Sequence, residues 1–286
     1  SALRDWRNFP LSNNGTPMNW NNNFQNNPYW VLENNRNTFD KDRVNGNFGL
    51  NYKFNDKLSL SGKLLLDHFS QRITRQKEIG TNSSIDGFYE ENNRRYSEIN
   101  AETVLSYRTD LTDNFKLSLN AGMNTMKRYQ NVMAGQLNSL ELPGLFTLSN
   151  VKSGTTPVID SDYFEQRINS VFGFGQLAYK NWAFLDFTAR NDWSSVLPAK
   201  NNSFFYPSFT GSLVLSDLLN LTNSKLNYVK VRGGWAKVGS TGVLGEYTIN
   251  KIYNLANNQF GTVSTIPASQ FNPEIKPEST IGKEIG

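Results

Sequence analysis

The feature that most constrains the fold of this chain is the alternation of apolar and polar residues. It occurs in segments that are separated by short and long gaps in turn. Between Arg43 and Phe54, apolar or small residues occupy every second position and polar residues occupy most of the others. Because a strand turns successive side chains to opposite faces, this segment predicts a strand with one apolar and one polar face. Asn55-Asp56-Lys57 then turns the chain into a second strand that begins at Leu58. This repeated pattern is typical of a transmembrane β-barrel.

The same pattern predicts eight strands between residues 43 and 239. They cover residues 43–54, residues from 58 up to a polar loop at 70–94, and residues 95–109, 115–129, 167–179, 182–193, 204–216 and 227–238. We interpret residues 1–42 and 240–278 as extracellular loops and residues 279–286 as the start of a ninth strand. The short turns at 55–57, 112–114 and 180–181 are expected to face the periplasm, and the long loops at 70–94 and 130–165 to face outward.

Bulk composition excludes several other classes of protein. The 286 residues have a mean hydropathy of −0.54 and contain no apolar run near 20 residues, so no transmembrane helix is predicted. The net charge of +4 is spread along the chain, and we predict no nucleic-acid partner. With His68 as the single histidine and no cysteine, the sequence argues against a transition-metal site. A soluble β-sandwich with aromatic rims remains an alternative on pattern alone.

Aromatic side chains concentrate near the predicted strand ends, as in the girdles of a membrane barrel. These residues are Tyr52, Phe54, Tyr107, Phe115, Tyr179, Trp182, Trp193, Phe205, Tyr206 and Tyr228.

Several stretches, in the same order along the chain, resemble the barrel of the SusC/RagA family of TonB-dependent outer-membrane transporters. They are Asn27-Pro28-Tyr29-Trp30, Asp42-Arg43-Val44-Asn45-Gly46-Asn47, Phe174-Gly175-Gln176-Leu177-Ala178-Tyr179, Ala189-Arg190-Asn191-Asp192-Trp193-Ser194-Ser195, Tyr206-Pro207-Ser208, Val231-Arg232-Gly233-Gly234-Trp235-Ala236-Lys237-Val238-Gly239 and Asn272-Pro273-Glu274-Ile275-Lys276-Pro277-Glu278. Each motif is weak alone, and together they are specific.

The resemblance implies an all-β fold, with this chain as the middle portion of a transmembrane antiparallel barrel of about 22 strands. The family's N-terminal extension domain, plug and TonB box are not recognised in these residues. The implied function is TonB-energised uptake of oligosaccharides or peptides across the cell outer membrane. The implied partners are outer-membrane lipids, a SusD-like surface lipoprotein, and TonB acting through other parts of the protein. A structural scaffold or adhesin in an outer-membrane assembly is the alternative function.

Two groups of residues are candidate binding sites, and no catalytic constellation is found, so we predict no enzyme. The aromatic residues Trp6, Trp20, Tyr29 and Trp30 lie in the Asn-rich N-terminal loop. They are expected to contact a substrate or the partner lipoprotein, although they could equally serve only to order the loop. Charged residues at polar-face positions are expected to line the lumen and meet the plug, with substrate contact as the sharper alternative. They are Asp186, Arg190, Asp192, Lys230 and Arg232.

No cofactor is predicted. The pairs Asp40/Asp42 and Asp160/Asp162 could contribute carboxylate oxygens to a calcium site. Neither pair has the spacing of a known calcium-binding loop, so solvated surface carboxylates are the favoured interpretation.

Overall fold

The structure of the chain is a computed structural model. It describes residues 26–219, 221, 228–241, 244–245, 247–250, 252–259, 261–267, 272 and 274–286. No helix among these residues is long and apolar enough to cross a membrane.

Eleven strands and two short helices make up the described secondary structure. The helices are α1 (Pro28–Asn34) and α2 (Leu215–Leu218). The strands are β1 (Asn37–Lys53), β2 (Leu58–Lys77), β3 (Phe88–Thr112), β4 (Phe115–Leu137), β5 (Val158–Tyr179), β6 (Ala183–Ser194), β7 (Ser203–Val214), β8 (Lys230–Ser240), β9 (Asn254–Asn258), β10 (Gly261–Thr265) and β11 (Glu278–Ile285).

Nine of the strands form one sheet in the order β1-β2-β3-β4-β5-β6-β7-β8-β11, and β9 pairs separately with β10. From β1 to β8 each strand therefore lies beside its neighbour in sequence, which is the arrangement that hairpin connections produce. β11 continues this order as the ninth strand and pairs antiparallel with β8. The predicted all-β antiparallel fold is confirmed.

The register of the later strands confirms the two-faced pattern. Leu185 on β6 lies opposite Leu177 on β5 and Gly211 on β7, whereas Asp186 lies opposite Gln176 and Thr210. Because directly opposed residues in an antiparallel pair share a face, odd-numbered positions form an apolar face and even-numbered positions a polar face across β5–β8. The same parity holds on β3 and β4, where Leu105 and Leu119 are exposed on the apolar face.

Side chains that accept hydrogen bonds from the backbone stabilise two of the predicted short turns. Asn55 Oδ1 accepts from the backbone N–H of Lys57 at 2.8 Å and of Leu58 at 2.9 Å. Thr112 Oγ1 accepts in the same way from Asn114 and Phe115. Where the chain reverses, such Asx and Ser/Thr turns supply the hydrogen bonds that strand pairing supplies elsewhere.

The long loops are shorter than the sequence predicts, because the strands extend further at that end. The loops cover residues 78–87 and 138–157, where 70–94 and 130–165 were expected. Strand β1 likewise begins at Asn37, inside the loop predicted for residues 1–42, which also contains helix α1. The loop predicted for 240–278 contains the β9–β10 hairpin. The added segments of β2 and β3 are largely polar on both faces, and those of β4 and β5 mix apolar and polar residues on both faces. Alternation therefore does not reveal them.

Two compact units divide the described residues. The first, which we call the long-loop unit, comprises residues 26–45, 67–97 and 129–163 of the described chain, and the second, the wall unit, comprises 46–66, 98–128 and the described part of 164–286. The long-loop unit has a small core in which Tyr89, Leu137 and Leu140 are buried. Ile79, Phe146, Leu148 and Val151 pack against this core.

Candidate functional site: the polar face and the long-loop unit

The five charged residues predicted to line a lumen lie on one face of the wall unit. Arg190 and Asp192 are opposite Tyr206 and Phe204, and Asp186 is opposite Thr210. On β8, Arg232 is opposite Ser212, and Lys230 is opposite Val214. All of these positions are even-numbered and belong to the polar face. The register thus brings the five residues to a common surface; which molecule that surface meets stays a prediction.

A network of hydrogen bonds holds Arg190 in place at the centre of this surface. Its Nε donates to Asp192 Oδ1 at 2.8 Å, and its Nη2 donates to Ser170 Oγ at 2.8 Å. The guanidinium carbon lies 5.5 Å from the ring centre of Phe172, within cation–π range. Asp192 is buried and also accepts a hydrogen bond from the Tyr206 hydroxyl. The charges of Arg190 and Asp192 therefore compensate each other, and the network fixes the orientation of both side chains.

Aromatic rings surround the Arg190 network on the polar face. Phe172 and Phe174 stack with centroids 6.4 Å apart, and Phe204 and Tyr206 stack at 5.9 Å. Phe174 is 41% exposed. Rings beside a fixed guanidinium, which keeps donors free after bonding Asp192 and Ser170, suit a ligand with apolar groups and hydrogen-bond acceptors.

Sequence reasoning placed Arg190 and Asp192 but missed their partners Ser170, Phe172 and Tyr206. The signal that could have found them is the broken alternation of β5, where Phe172 and Phe174 occupy polar-face positions. Bulky apolar side chains on a face that is otherwise polar need a packing partner or a ligand.

The remaining members of the predicted row do not join this network. Asp186 accepts a hydrogen bond from Gln176 Nε2 at 2.7 Å. Arg232 forms an exposed ion pair with Glu284 on β11, with Nη2 and Oε1 2.8 Å apart. An exposed pair of this kind contributes little to stability, about 0–1 kcal/mol.

An open cavity of about 470 Å³ lies at the short-turn end of the wall unit. Its charged lining comes from the ends of several hairpins and comprises Asp56, Lys57, Arg108, Asp110, Lys116 and Lys180. No ion pair joins these six side chains within the described part of the chain. Sequence reasoning missed the cavity because its residues are scattered along the chain and meet only through strand pairing.

Two of the four aromatic residues predicted to bind a substrate or partner are described, and they differ in exposure. Tyr29 is 40% exposed on α1, whereas Trp30 on the same helix is only 4% exposed. The expectation that Trp30 offers a contact surface is corrected: its indole is buried, as expected of a residue that orders the segment. Trp6 and Trp20 lie outside the described residues.

Asparagine side chains attach α1 and its flanks to the 78–87 loop. Asn26 Oδ1 accepts from the backbone N–H of Asn82 at 2.8 Å, and Asn35 Oδ1 accepts from that of Glu78 at 2.9 Å. The side-chain Oε2 of Glu78 accepts a hydrogen bond from the backbone N–H of Gly144, in the other long loop, at 2.8 Å. These bonds hold both loops and the helix as one ordered surface within the long-loop unit.

A charged cluster stabilises the distal parts of β2 and β3. Arg72 Nη2 lies 2.8 Å from Glu91 Oε2, and Tyr89 and Asn93 also donate to Glu91. A membrane-crossing strand needs about 9–11 residues. The 25-residue β3 is long enough to place Glu91, near its start, outside the spanning segment. Hydrogen bonding by Arg72, above all, lowers the pKa of Glu91 to about 2.

The two aspartate pairs considered for calcium lie within strands. Asp40 and Asp42 belong to β1, and Asp160 and Asp162 belong to β5. Across the described residues, no group of three or more His, Asp or Glu side chains is arranged to hold a metal ion.

Comparison with known proteins relates this architecture to a family. The family model described as "TonB dependent receptor-like, beta-barrel" matches residues 2–286. No curated protein matches the chain in sequence.

Solved structures share the fold at low sequence identity. The RagAB peptide importer in its closed-closed state aligns with a TM-score of 0.81 and 17% identity over 97% of this chain. Its open-open state aligns with a TM-score of 0.77, 17% identity and the same 97% coverage. The siderophore receptor PiuA from Acinetobacter baumannii aligns with a TM-score of 0.53 and 14% identity, over 88% of this chain and 38% of that one. This chain spans 30% of the length of the two RagAB chains.

Proposed function

The chain belongs to the TonB-dependent receptor-like β-barrel family, and we propose that it forms part of the wall of an importer in the cell outer membrane. The importer takes up oligosaccharides or peptides, is energised through TonB, and works with a SusD-like surface lipoprotein. This family is a class of transporter and receptor barrels, not a class of enzymes.

The two-faced sheet is the observation that supports this proposal. One face carries exposed Leu119, Leu185 and Leu213, and the other carries the fixed Arg190–Asp192 network. A barrel wall in a bilayer needs an apolar outer face and tolerates a polar inner one. Aromatic rings and oriented donors on the inner face suit either plug packing or passing substrate, and we assign the row from Asp186 to Arg232 to the lumen.

Partner and substrate contacts are assigned to the long-loop unit. Its loops are bonded to each other and to α1, so they present a preorganised surface, which lowers the entropic cost of binding. Tyr29 is the exposed aromatic residue of helix α1, and we retain Trp6 and Trp20 as contact residues on the sequence pattern alone. Peptide importers share this fold, and oligosaccharides remain the second substrate class.

Gene deletion and complementation in the native host test the proposal. The full-length protein should restore growth on peptide or oligosaccharide mixtures, and a version uncoupled from TonB should not. Pull-down of the full-length protein should recover a surface lipoprotein. Uptake that is unaffected by deletion, with a defect only in assembly of other surface proteins, would favour the scaffold or adhesin alternative.

A tyrosine substitution separates the loop assignment from the general function. Tyr29→Ala should weaken uptake or lipoprotein retention, whereas Tyr52→Ala, which removes an exposed tyrosine from the apolar face of β1, should leave both intact. Aromatic anchors commonly contribute about 2 kcal/mol or more to an interface. Equal behaviour of the two variants, with normal barrel folding, would refute the assignment of Tyr29.

A further inference from the structure

The apolar face of the wall unit ends at a pair of basic side chains. Along β4 this face passes from Phe115 through Leu119 and Met123 to Thr125 and then Lys127. Along β5 it passes from Leu177 through Val171 to Asn169 and then to Arg167, which is exposed. On both strands this face therefore changes from apolar to cationic at the boundary of the wall unit, ten residues before the end of β4 and nine residues after the start of β5.

Two side-chain hydrogen bonds establish that the cations are direct neighbours. Thr125 Oγ1 donates to Asn169 Oδ1 at 2.7 Å, and Arg128 donates to Gln166. Because both contacts fit one antiparallel register, Lys127 lies opposite Arg167 on the apolar face. Directly opposed side chains have Cβ atoms about 4.5–5.5 Å apart, and like charges in this arrangement repel.

One carboxylate compensates only part of this charge. Lys127 Nζ lies 3.1 Å from Glu165 Oε1, in a pair whose lysine is 45% exposed. The Arg167 guanidinium has no ion pair within the described part of the chain. The cluster keeps a net positive charge and free guanidinium donors, so it is complementary to an anion with several oxygen acceptors.

Depth along the strand places the cluster at the membrane surface. Thr125 lies ten positions beyond Phe115 in the sequence. At about 3.3 Å per residue and a tilt of about 40° they span roughly 25 Å, the height of the apolar band of a membrane barrel. Trp193 lies opposite Asn169 on the same face and is 38% exposed. Indole rings favour this boundary, where headgroups begin.

We propose that Lys127 and Arg167 form a binding site for the phosphate of an anionic membrane lipid, in the leaflet at the long-loop end. Charge complementarity and continuity with the lipid-facing apolar band identify the occupant as a lipid headgroup. Bidentate hydrogen bonding from Arg167, reinforced by the Lys127 ammonium, fixes the phosphate beside the barrel. The site goes beyond the proposed transport function and does not depend on which substrate is imported.

Native mass spectrometry of the full-length protein tests this site. Detergent-solubilised protein is supplied with phosphatidic acid or with phosphatidylcholine. The wild type should retain phosphatidic acid preferentially, and Arg167→Gln should reduce its affinity about fivefold. Lys127→Gln combined with Arg167→Gln should reduce it further. The matched control Lys53→Gln with Lys63→Gln removes two cations from the polar face and should retain the wild-type affinity.

Three results would overturn the proposal. One is a wild type that binds the two lipids equally. Another is an equal loss of phosphatidic acid binding in the control and the Arg167 variant, since that would reflect net charge alone. The third is abolition of lipid binding by millimolar inorganic phosphate, which would identify a site for free anions instead. Arg167→Gln alone leaves the Lys127–Glu165 pair intact, so this variant is expected to fold. Heat-modifiable migration verifies its folding.

Discussion

Gly122 and Phe172 illustrate how single residues determine packing on the polar face. A Cβ added at Gly122 would lie 2.5 Å from the Phe172 ring and 2.8 Å from the backbone oxygen of Thr103. Phe172 in turn supports the Arg190 guanidinium. The glycine thus leaves room for a ring on which the polar network rests.

Gly122→Ala should therefore destabilise the barrel by about 1–3 kcal/mol, the usual cost of overpacking. Neither the ring, which is held between Phe174 and Arg190, nor the Thr103 backbone can move cheaply. Urea unfolding of the full-length protein in micelles measures the effect. Gly62→Ala is the control, because a Cβ there meets nothing within 4 Å. Equal stability of the two variants would contradict this packing.

The alternation of side chains in the sequence predicted the environment of some residues and not of others. Arg190 and Asp192 followed from strict alternation along β6. The burial of Trp30 could not be predicted, because a short helix within a polar segment leaves no periodic signal to distinguish a buried ring from an exposed one. Its neighbour Tyr29 has nearly the same local sequence context and the opposite environment.

The strands could be predicted where their two faces are exposed to different surroundings, one apolar and one polar. Within the apolar band, hydrophobic and polar side chains alternate, and eight strands with their short turns follow from that contrast. Beyond the band, both faces of β2 and β3 are polar, and ion pairs such as Arg75–Glu90 at 3.4 Å join the strands instead. The largest errors in the predicted strand ends therefore lie at the long-loop end, with errors of two or three residues at the short-turn ends of β3, β7 and β8.

Arginine substitutions at similar depth on opposite faces test the pattern at the scale of a strand. Leu119→Arg places a charge on the apolar face and should cost about 2–4 kcal/mol. Gln176→Arg on the polar face should cost far less, since the new guanidinium can keep the contact with Asp186. Folding efficiency into lipid vesicles measures both. Similar costs would indicate that both faces are buried in a protein core.

For the molecule as a whole, the sheet order agrees with the prediction from alternation, and the family match agrees with the resemblance of the sequence motifs. Strand order followed from hairpin connectivity, and the ninth strand was predicted from only a few residues. The cavity at the short-turn end and the hydrogen-bonded loops were not predictable, because they depend on contacts between residues far apart in sequence. Asn35 and Thr81, for example, are joined by a hydrogen bond although they are 46 residues apart in sequence.

The central claim is that these strands cross a membrane with their short turns on one side and their long loops on the other. Since the sequence contains no cysteine, single cysteines can be introduced into the full-length protein at Asp56, Asp113, Ser83 and Thr156. In intact cells, a membrane-impermeant maleimide should label Cys at positions 83 and 156 but label positions 56 and 113 only after the outer membrane is opened. Labelling of intact cells at position 56 or 113 would contradict the account.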